Sequence, residues 1–238
     1  MNILAIGNSF SQDSTRYLHR IARADGVQLN VVNLYIGGCS LERHYRNMLS
    51  EERAYELQCN GEKTNFFVSM KEALLNRSWD VVTLQQASHF SFDAETYTPY
   101  IEELARYVCK CAPKAKLYIH QTWAYEAESD RLFNVAKYDT PENMLSDIIK
   151  AYDVASRKIA ADGMIRSGEL LASLLENGIP RVHRDTFHAS LGLGRYALAL
   201  LWYRTLCGCD VLENSFTDTD VPVSKEEMET VKRCVSLF

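Results

Sequence analysis

The first eleven residues constrain this chain more than any other stretch: Met1-Asn-Ile-Leu-Ala-Ile-Gly7-Asn8-Ser9-Phe10-Ser11. Ile3, Leu4, Ala5 and Ile6 form an uninterrupted apolar run of the length of a buried strand. Gly7, Asn8 and Ser9 follow as turn formers. Apolar residues at helical spacing then begin at Tyr17, Leu18, Ile21 and Ala22. Strand, tight turn and helix in that order belong to an open α/β sheet, whose ligands bind outside the carboxyl ends of its strands. The turn therefore places the Ser9 hydroxyl where a nucleophile would stand, near the positive end of the next helix. Ser and Asn are also ordinary turn and N-cap residues. The assignment of Ser9 thus depends on finding a base and oxyanion donors elsewhere.

The alternation continues along the chain. A helix is expected over 16–24 and a second strand over 27–35, running into Gly37-Gly38, where the backbone can approach a ligand closely. Residues 41–78 are polar and irregular, with a short helix expected over 66–75. They are too long for one crossover connection and are read as an insertion that could cover the site as a lid. A third strand, 79–84, ends in Gln85-Gln86-Ala87-Ser88. A helix over 95–111 leads to a fourth strand, 116–120, followed by Gln121-Thr122-Trp123-Ala124-Tyr125. Thr140-Pro141 starts a helix reaching about 161. A short fifth strand covers 163–165, with helices over 168–175 and 191–206, and Ser224 to Glu227 forms a capping box for the last helix. No repeat or linker interrupts the pattern, so one domain, 1–238, is expected. Strands alternating with helices imply a parallel sheet covered on both faces.

Charge and cysteine content exclude several functions. The net charge of −5 and pI near 5.7 argue against a nucleic-acid partner. No stretch approaches the roughly 20 apolar residues of a membrane span. Seven cysteines, with Cys109/Cys111 and Cys207/Cys209 as close pairs, match no zinc or thioredoxin-type spacing. Reduced thiols in the cytoplasm are the simplest expectation, although removal of a leader peptide would leave the same start. No metal and no organic cofactor is expected, and the sequence does not give an oligomeric state.

Near the end of the chain stands Arg184-Asp185-Thr186-Phe187-His188. Asp185 and His188, three apart on a turn, can bring a carboxylate to the imidazole Nδ1–H, leaving Nε2 to take the proton of Ser9. Together, Gly7-Asn8-Ser9-Phe10-Ser11, Gly37-Gly38 and Asp185-Thr-Phe-His188 resemble the first, second and last blocks of the SGNH (GDSL-like) hydrolases, in the same order and over nearly the whole chain. Asn8 stands where that family usually has Asp. The usual third block, G-x-N-D, is replaced by Gln85-Gln86-Ala87-Ser88, which is similar to the Q-G-E-S variant of some carbohydrate acetylesterases in the superfamily.

The resemblance implies a flavodoxin-like α/β/α sandwich with a five-stranded parallel sheet. It also implies a Ser9–His188–Asp185 triad. The oxyanion donors would be the backbone N–H groups of Ser9 and Gly38 and the side-chain amide of Gln85 or Gln86. Asn8 and Trp123 are the expected substrate contacts, Trp123 as the wall of a short acyl pocket. The function implied is an esterase removing acyl groups, acetyl first, from a carbohydrate or related small ester. The alternatives are a lysophospholipase or thioesterase, which needs an apolar acyl channel, and a noncatalytic carbohydrate-binding protein that keeps the fold. A flavodoxin-like nucleotide binder lacks a phosphate-binding glycine motif.

Overall fold

The computed structural model describes all residues, 1–238. In chain order its elements are β1 (Asn2–Gly7), α1 (Ser9–Thr15), α2 (Leu18–Ala24), β2 (Asn30–Tyr35), α3 (Leu41–Ser50), β3 (Tyr55–Cys59), β4 (Glu62–Val68) and α4 (Met70–Leu75). Then come β5 (Val81–Leu84), α5 (Tyr100–Cys111), β6 (Lys116–His120), α6 (Pro141–Lys158), β7 (Gly163–Ile165), α7 (Ser167–Glu176), α8 (Leu193–Cys207) and α9 (Lys225–Ser236). The strand order is β4-β3-β2-β1-β5-β6-β7.

This is a mixed sheet of seven strands, which corrects the expected five-stranded parallel one. The strands β2-β1-β5-β6-β7 are parallel. The two extra strands come from 41–78, the stretch expected to be an irregular insertion. There β3 adds antiparallel to β2, and β4 antiparallel to β3. The hairpin turns at Asn60-Gly61, both with positive φ (52° and 86°), the type I′ geometry that matches strand twist and that Asn-Gly favours. In Tyr55–Cys59 the buried residues are Tyr55 and Gln58, three apart rather than two, so no strand alternation shows in the sequence. The helices in this stretch are α3, capped by Ser40 accepting from the Arg43 N–H, and α4, where the helix expected over 66–75 is confined to Met70–Leu75 behind a Ser69/Glu72 capping box.

Helices cover both faces. α1, α2, α7, α8 and α9 pack together on one side, and α3, α4 and α5 on the other. α8 is buried all round from Tyr196 to Tyr203, as that unbroken apolar run requires. From β1 the chain passes to β2 on one side and later to β5 on the other. Ligand crevices of open α/β sheets form at such a reversal. Register aligns the carboxyl ends: Gly7 stands beside Tyr35, Ile6 beside Leu84, and Leu84 beside Ile119. The turns after β1, β2, β5 and β6 therefore emerge along one edge. All seven cysteines are unpaired, and no helix is long and apolar enough to cross a membrane.

Two histidines lie wholly inside this frame. His44 and His120 are each 0% exposed, and burial pushes both pKa values from 6.5 down to about 3, with Arg43 adding to the effect at His44. Between pH 6.5 and about 3 the unfolded chain binds protons that the folded chain refuses. Stability is therefore complete above that window and falls as pH drops through it. Each histidine contributes a slope of about 1.4 kcal/mol per pH unit. Urea denaturation at pH 7, 6 and 5 should give a falling midpoint, and His44→Gln should remove its share. An unaltered slope in that variant would show that folded His44 takes up protons freely.

Candidate active site

The turn after β1 is fixed by one side chain. Asn8, 1% exposed, caps α1: its Oδ1 accepts from the backbone N–H of Phe10 at 3.0 Å. The same oxygen accepts from Gln85 Nε2 at 2.7 Å, and Asn8 Nδ2 donates to the Cys39 carbonyl at 3.1 Å. Every polar atom of this amide is thus engaged within the protein. Asn8 lines the cleft at Ser9, where a substrate contact was expected of it, with its amide committed to positioning the turn. Ser9, the first residue of α1, follows with its side chain toward the carboxyl edge of the sheet.

Across the edge, His188 Nε2 lies 2.9 Å from Ser9 Oγ. Asp185 Oδ2 lies 2.8 Å from His188 Nδ1, and Asp185 Oδ1 accepts from the His188 backbone N–H at 2.8 Å. A carboxylate at Nδ1 holds that nitrogen protonated, so Nε2 faces Ser9 as an acceptor. Burial raises the Asp185 pKa, but the hydrogen bonds from His188 and the charge of Arg184 outweigh it and hold the carboxyl below its usual range. The loop is closed at its base by Arg184 N–H donating to His188 O at 3.0 Å and by a bridge between His183 and Ala189. Thr186 sits at φ +69°, a left-handed conformation costly for a β-branched residue. Glu126 N–H donating to Thr186 O at 2.8 Å and Thr186 Oγ1 donating to Ser129 Oγ at 2.9 Å hold it there.

An ion-pair chain ties this loop to α1. Asp13, 0% exposed, accepts from Arg184 at 2.9 Å and Arg195 at 2.8 Å. Burial pushes its carboxyl up against the pull of both guanidiniums. Arg195 also reaches Asp220, which Arg16 contacts in turn. Arg184 additionally donates to the Ala189 carbonyl.

Neither glutamine lines the cleft at Ser9, contrary to the expected oxyanion role. Gln86 Nε2 donates to Thr96 O and Oγ1, and its Oε1 accepts from the N–H groups of Leu41 and Ala87. Gln85 belongs to a buried relay with a fixed direction. Because Asn8 Oδ1 accepts from a backbone N–H, Gln85 must offer it Nε2, which turns Gln85 Oε1 toward His120 at 2.8 Å. His120 therefore carries its proton on Nδ1, and its Nε2 accepts from Ser167 Oγ at 3.0 Å. Ser167, His120, Gln85, Asn8 and Cys39 are linked donor to acceptor, from α7 to the turn that bears Gly38.

That turn and its neighbours shape a cleft of about 370 Å³, lined by Ser9, Tyr35, Gly38, Ser88, Arg131 and His188 among others. No residue of 41–78 lines it, so the lid expected there has no counterpart at this cleft. Cys39 N–H donates to Ile36 O at 3.2 Å, with Gly38 at φ +61°, a type II turn whose third residue favours glycine. The N–H of Gly38 makes no hydrogen bond within the protein, and the N–H of Ser9 lies in the unpaired first turn of a helix. Ser88 Oγ accepts from Tyr125 at 3.0 Å, which leaves its own hydrogen to give. Trp123 is 1% exposed and not a wall of this cleft. It stacks on Phe10 (3.9 Å, 9°) and donates Nε1–H to Phe187 O at 2.8 Å, bracing the neighbours of Ser9 and His188. Its other side borders a separate, more apolar cavity of about 600 Å³.

The family described as "Domain of unknown function (DUF4886)" matches residues 2–234. The chain belongs to the DUF4886 family. A DUF4886 family protein from Bacteroides uniformis is similar over 100% of this chain and 93% of its own, at 29% identity and a TM-score of 0.91. A protein from Slackia heliotrinireducens assigned to the SGNH hydrolases is similar over 87% and 98%, at 22% identity and a TM-score of 0.62. Axe2, an acetylxylan esterase from Geobacillus stearothermophilus, is similar over 86% and 93%, at 13% and 0.55. Among curated proteins no match is found. This DUF4886 chain therefore has an α/β fold close to that of the SGNH hydrolases. In it, sequence reasoning placed Ser9, Gly38, Asp185 and His188 at one edge but missed Arg184, Thr186, His120 and Ser167. Arg184 adjoins the Asp-x-x-His block and could have been weighed with it. His120 ends a strand and carried no local signal.

Proposed function

We propose that this protein is a serine esterase that removes short acyl groups, acetyl first, from hydroxyls of a carbohydrate or a related small ester. The observation that carries this reading is the 2.9 Å approach of His188 Nε2 to Ser9 Oγ, with Asp185 on the far side of the imidazole. Ser9 Oγ attacks the ester carbonyl while His188 takes its proton. The oxyanion is held by the N–H groups of Ser9 and Gly38, with the Ser88 hydroxyl in the place first given to a glutamine amide. His188 then protonates the leaving alcohol, and the acyl group stays on Ser9. Water, giving its proton to the same histidine, releases the acid and restores the serine.

The short-acyl preference rests on the lining of the cleft, which is mostly polar and has three hydrophobic residues. The larger apolar cavity lies beyond the Trp123 indole, away from the Ser9 hydroxyl. The likeness of fold to an acetylxylan esterase agrees with an acetyl substrate. Hydrolysis of p-nitrophenyl esters from acetyl to dodecanoyl should be fastest for acetyl and fall steeply by hexanoyl. Faster octanoyl or decanoyl turnover would transfer the reading to a lipase or thioesterase.

A further inference from the structure

The cleft at Ser9 carries more positive charge than a neutral sugar ester requires. In a chain of net charge −5, its lining includes two arginines and no aspartate or glutamate. Arg184 is spent on Asp13 and the Ala189 carbonyl. Arg131 is not. It forms no ion pair and its guanidinium donates no hydrogen bond within the protein; it lies 4.1 Å over the ring of Phe187. The Phe187 ring in turn lies 3.9 Å from that of His188. A guanidinium seated by its flat face on an aromatic ring keeps the donors along its edge available for a carboxylate or a phosphate. The charge is felt across the cleft, where it adds to burial in holding His89 below its usual range.

The side of the cleft on which Arg131 stands determines what it meets. His188 protonates the leaving oxygen, so the alcohol portion of the ester lies on the His188 side, beside Phe187. We propose that the substrate's alcohol portion is anionic, bearing a carboxylate or phosphate that pairs with Arg131. This rests on the esterase reading for its orientation and on Arg131 for its charge.

The test uses Ser9→Ala protein, which retains the cleft but lacks the nucleophile. Calorimetry would compare a monoacetylated methyl glucuronide, a monoacetylated glucose phosphate and a monoacetylated methyl glucoside as ligands. At low salt one or both anionic esters should bind roughly 10- to 100-fold more tightly than the neutral one, as charge-assisted hydrogen bonds do. The better of the two identifies the anion. Adding Arg131→Gln should erase most of that difference, and Arg131→Lys should restore part of it. Equal affinities for all three esters would overturn the proposal. So would an anionic preference that survives Arg131→Gln. Turnover of p-nitrophenyl acetate by the unaltered protein judges the esterase reading separately, since that ester carries no anionic group.

Discussion

Ser9→Ala should lower kcat for p-nitrophenyl acetate by roughly 10⁴–10⁶-fold, the scale on which loss of a triad nucleophile is felt. Thermal stability should stay within about 0.5 kcal/mol, as for a surface substitution that breaks no buried network. The asymmetry follows from the bonding. Ser9 Oγ has His188 Nε2 as its hydrogen-bond partner, and the turn itself is held by Asn8. His188→Ala should cost a similar factor, and the double variant little more, because the two groups act as a unit. Retention of more than a tenth of the turnover in Ser9→Ala would remove the nucleophile from this site.

Asp13→Ala should produce the largest loss of stability. Asp13 is 0% exposed, and its two oxygens receive Arg184 and Arg195. Taking away the carboxylate leaves two neighbouring guanidiniums without their shared counter-charge, Arg195 retaining Asp220 and Arg184 the Ala189 carbonyl. Breaking a buried pair on one side costs about 3–5 kcal/mol, and the lower end applies here because Arg184 is 27% exposed. Activity should fall as well, because Arg184 precedes Asp185 and anchors the loop that presents His188. Asp13→Asn, which keeps the shape and one acceptor, should be intermediate in both measurements. Urea titration showing a loss below about 1 kcal/mol for Asp13→Ala would mean that the arginines find other partners.

How much of this was legible in the sequence depended on whether the signal was local. β1 and the turn after it are spelled out by Ile3–Ile6 and Asn8-Ser9, because burial on both faces demands an unbroken apolar run. Asp185 and His188 were legible because three residues of a single turn bring them together. The hairpin β3–β4 was not read, although Asn60-Gly61 marks it. β4 is exposed along nearly its whole length, so its residues show no alternation. The glutamines failed as oxyanion donors for a different reason. Their partners, Asn8, His120 and Thr96, come from other elements, and no spacing along the chain reveals which amide is already taken. Trp123 was expected as the wall of an acyl pocket at Ser9, but it borders a different cavity, a placement fixed by Phe10 and Phe187 from other elements.

The one-way course of hydrogen bonds from Ser167 to Cys39 also limits how related sequences can drift. An Asp at position 8 could still cap α1 and accept from Gln85, but it would turn an oxygen toward the Cys39 carbonyl. It would then need a different neighbour in the Gly38 turn. A residue at 120 that cannot donate would leave Gln85 Oε1 unpaired. Positions 8, 85 and 120 should therefore be inherited as a set, with Asn, Gln and His travelling together. The three are distant in the chain and join at one hydrogen-bonded seam beneath the nucleophile.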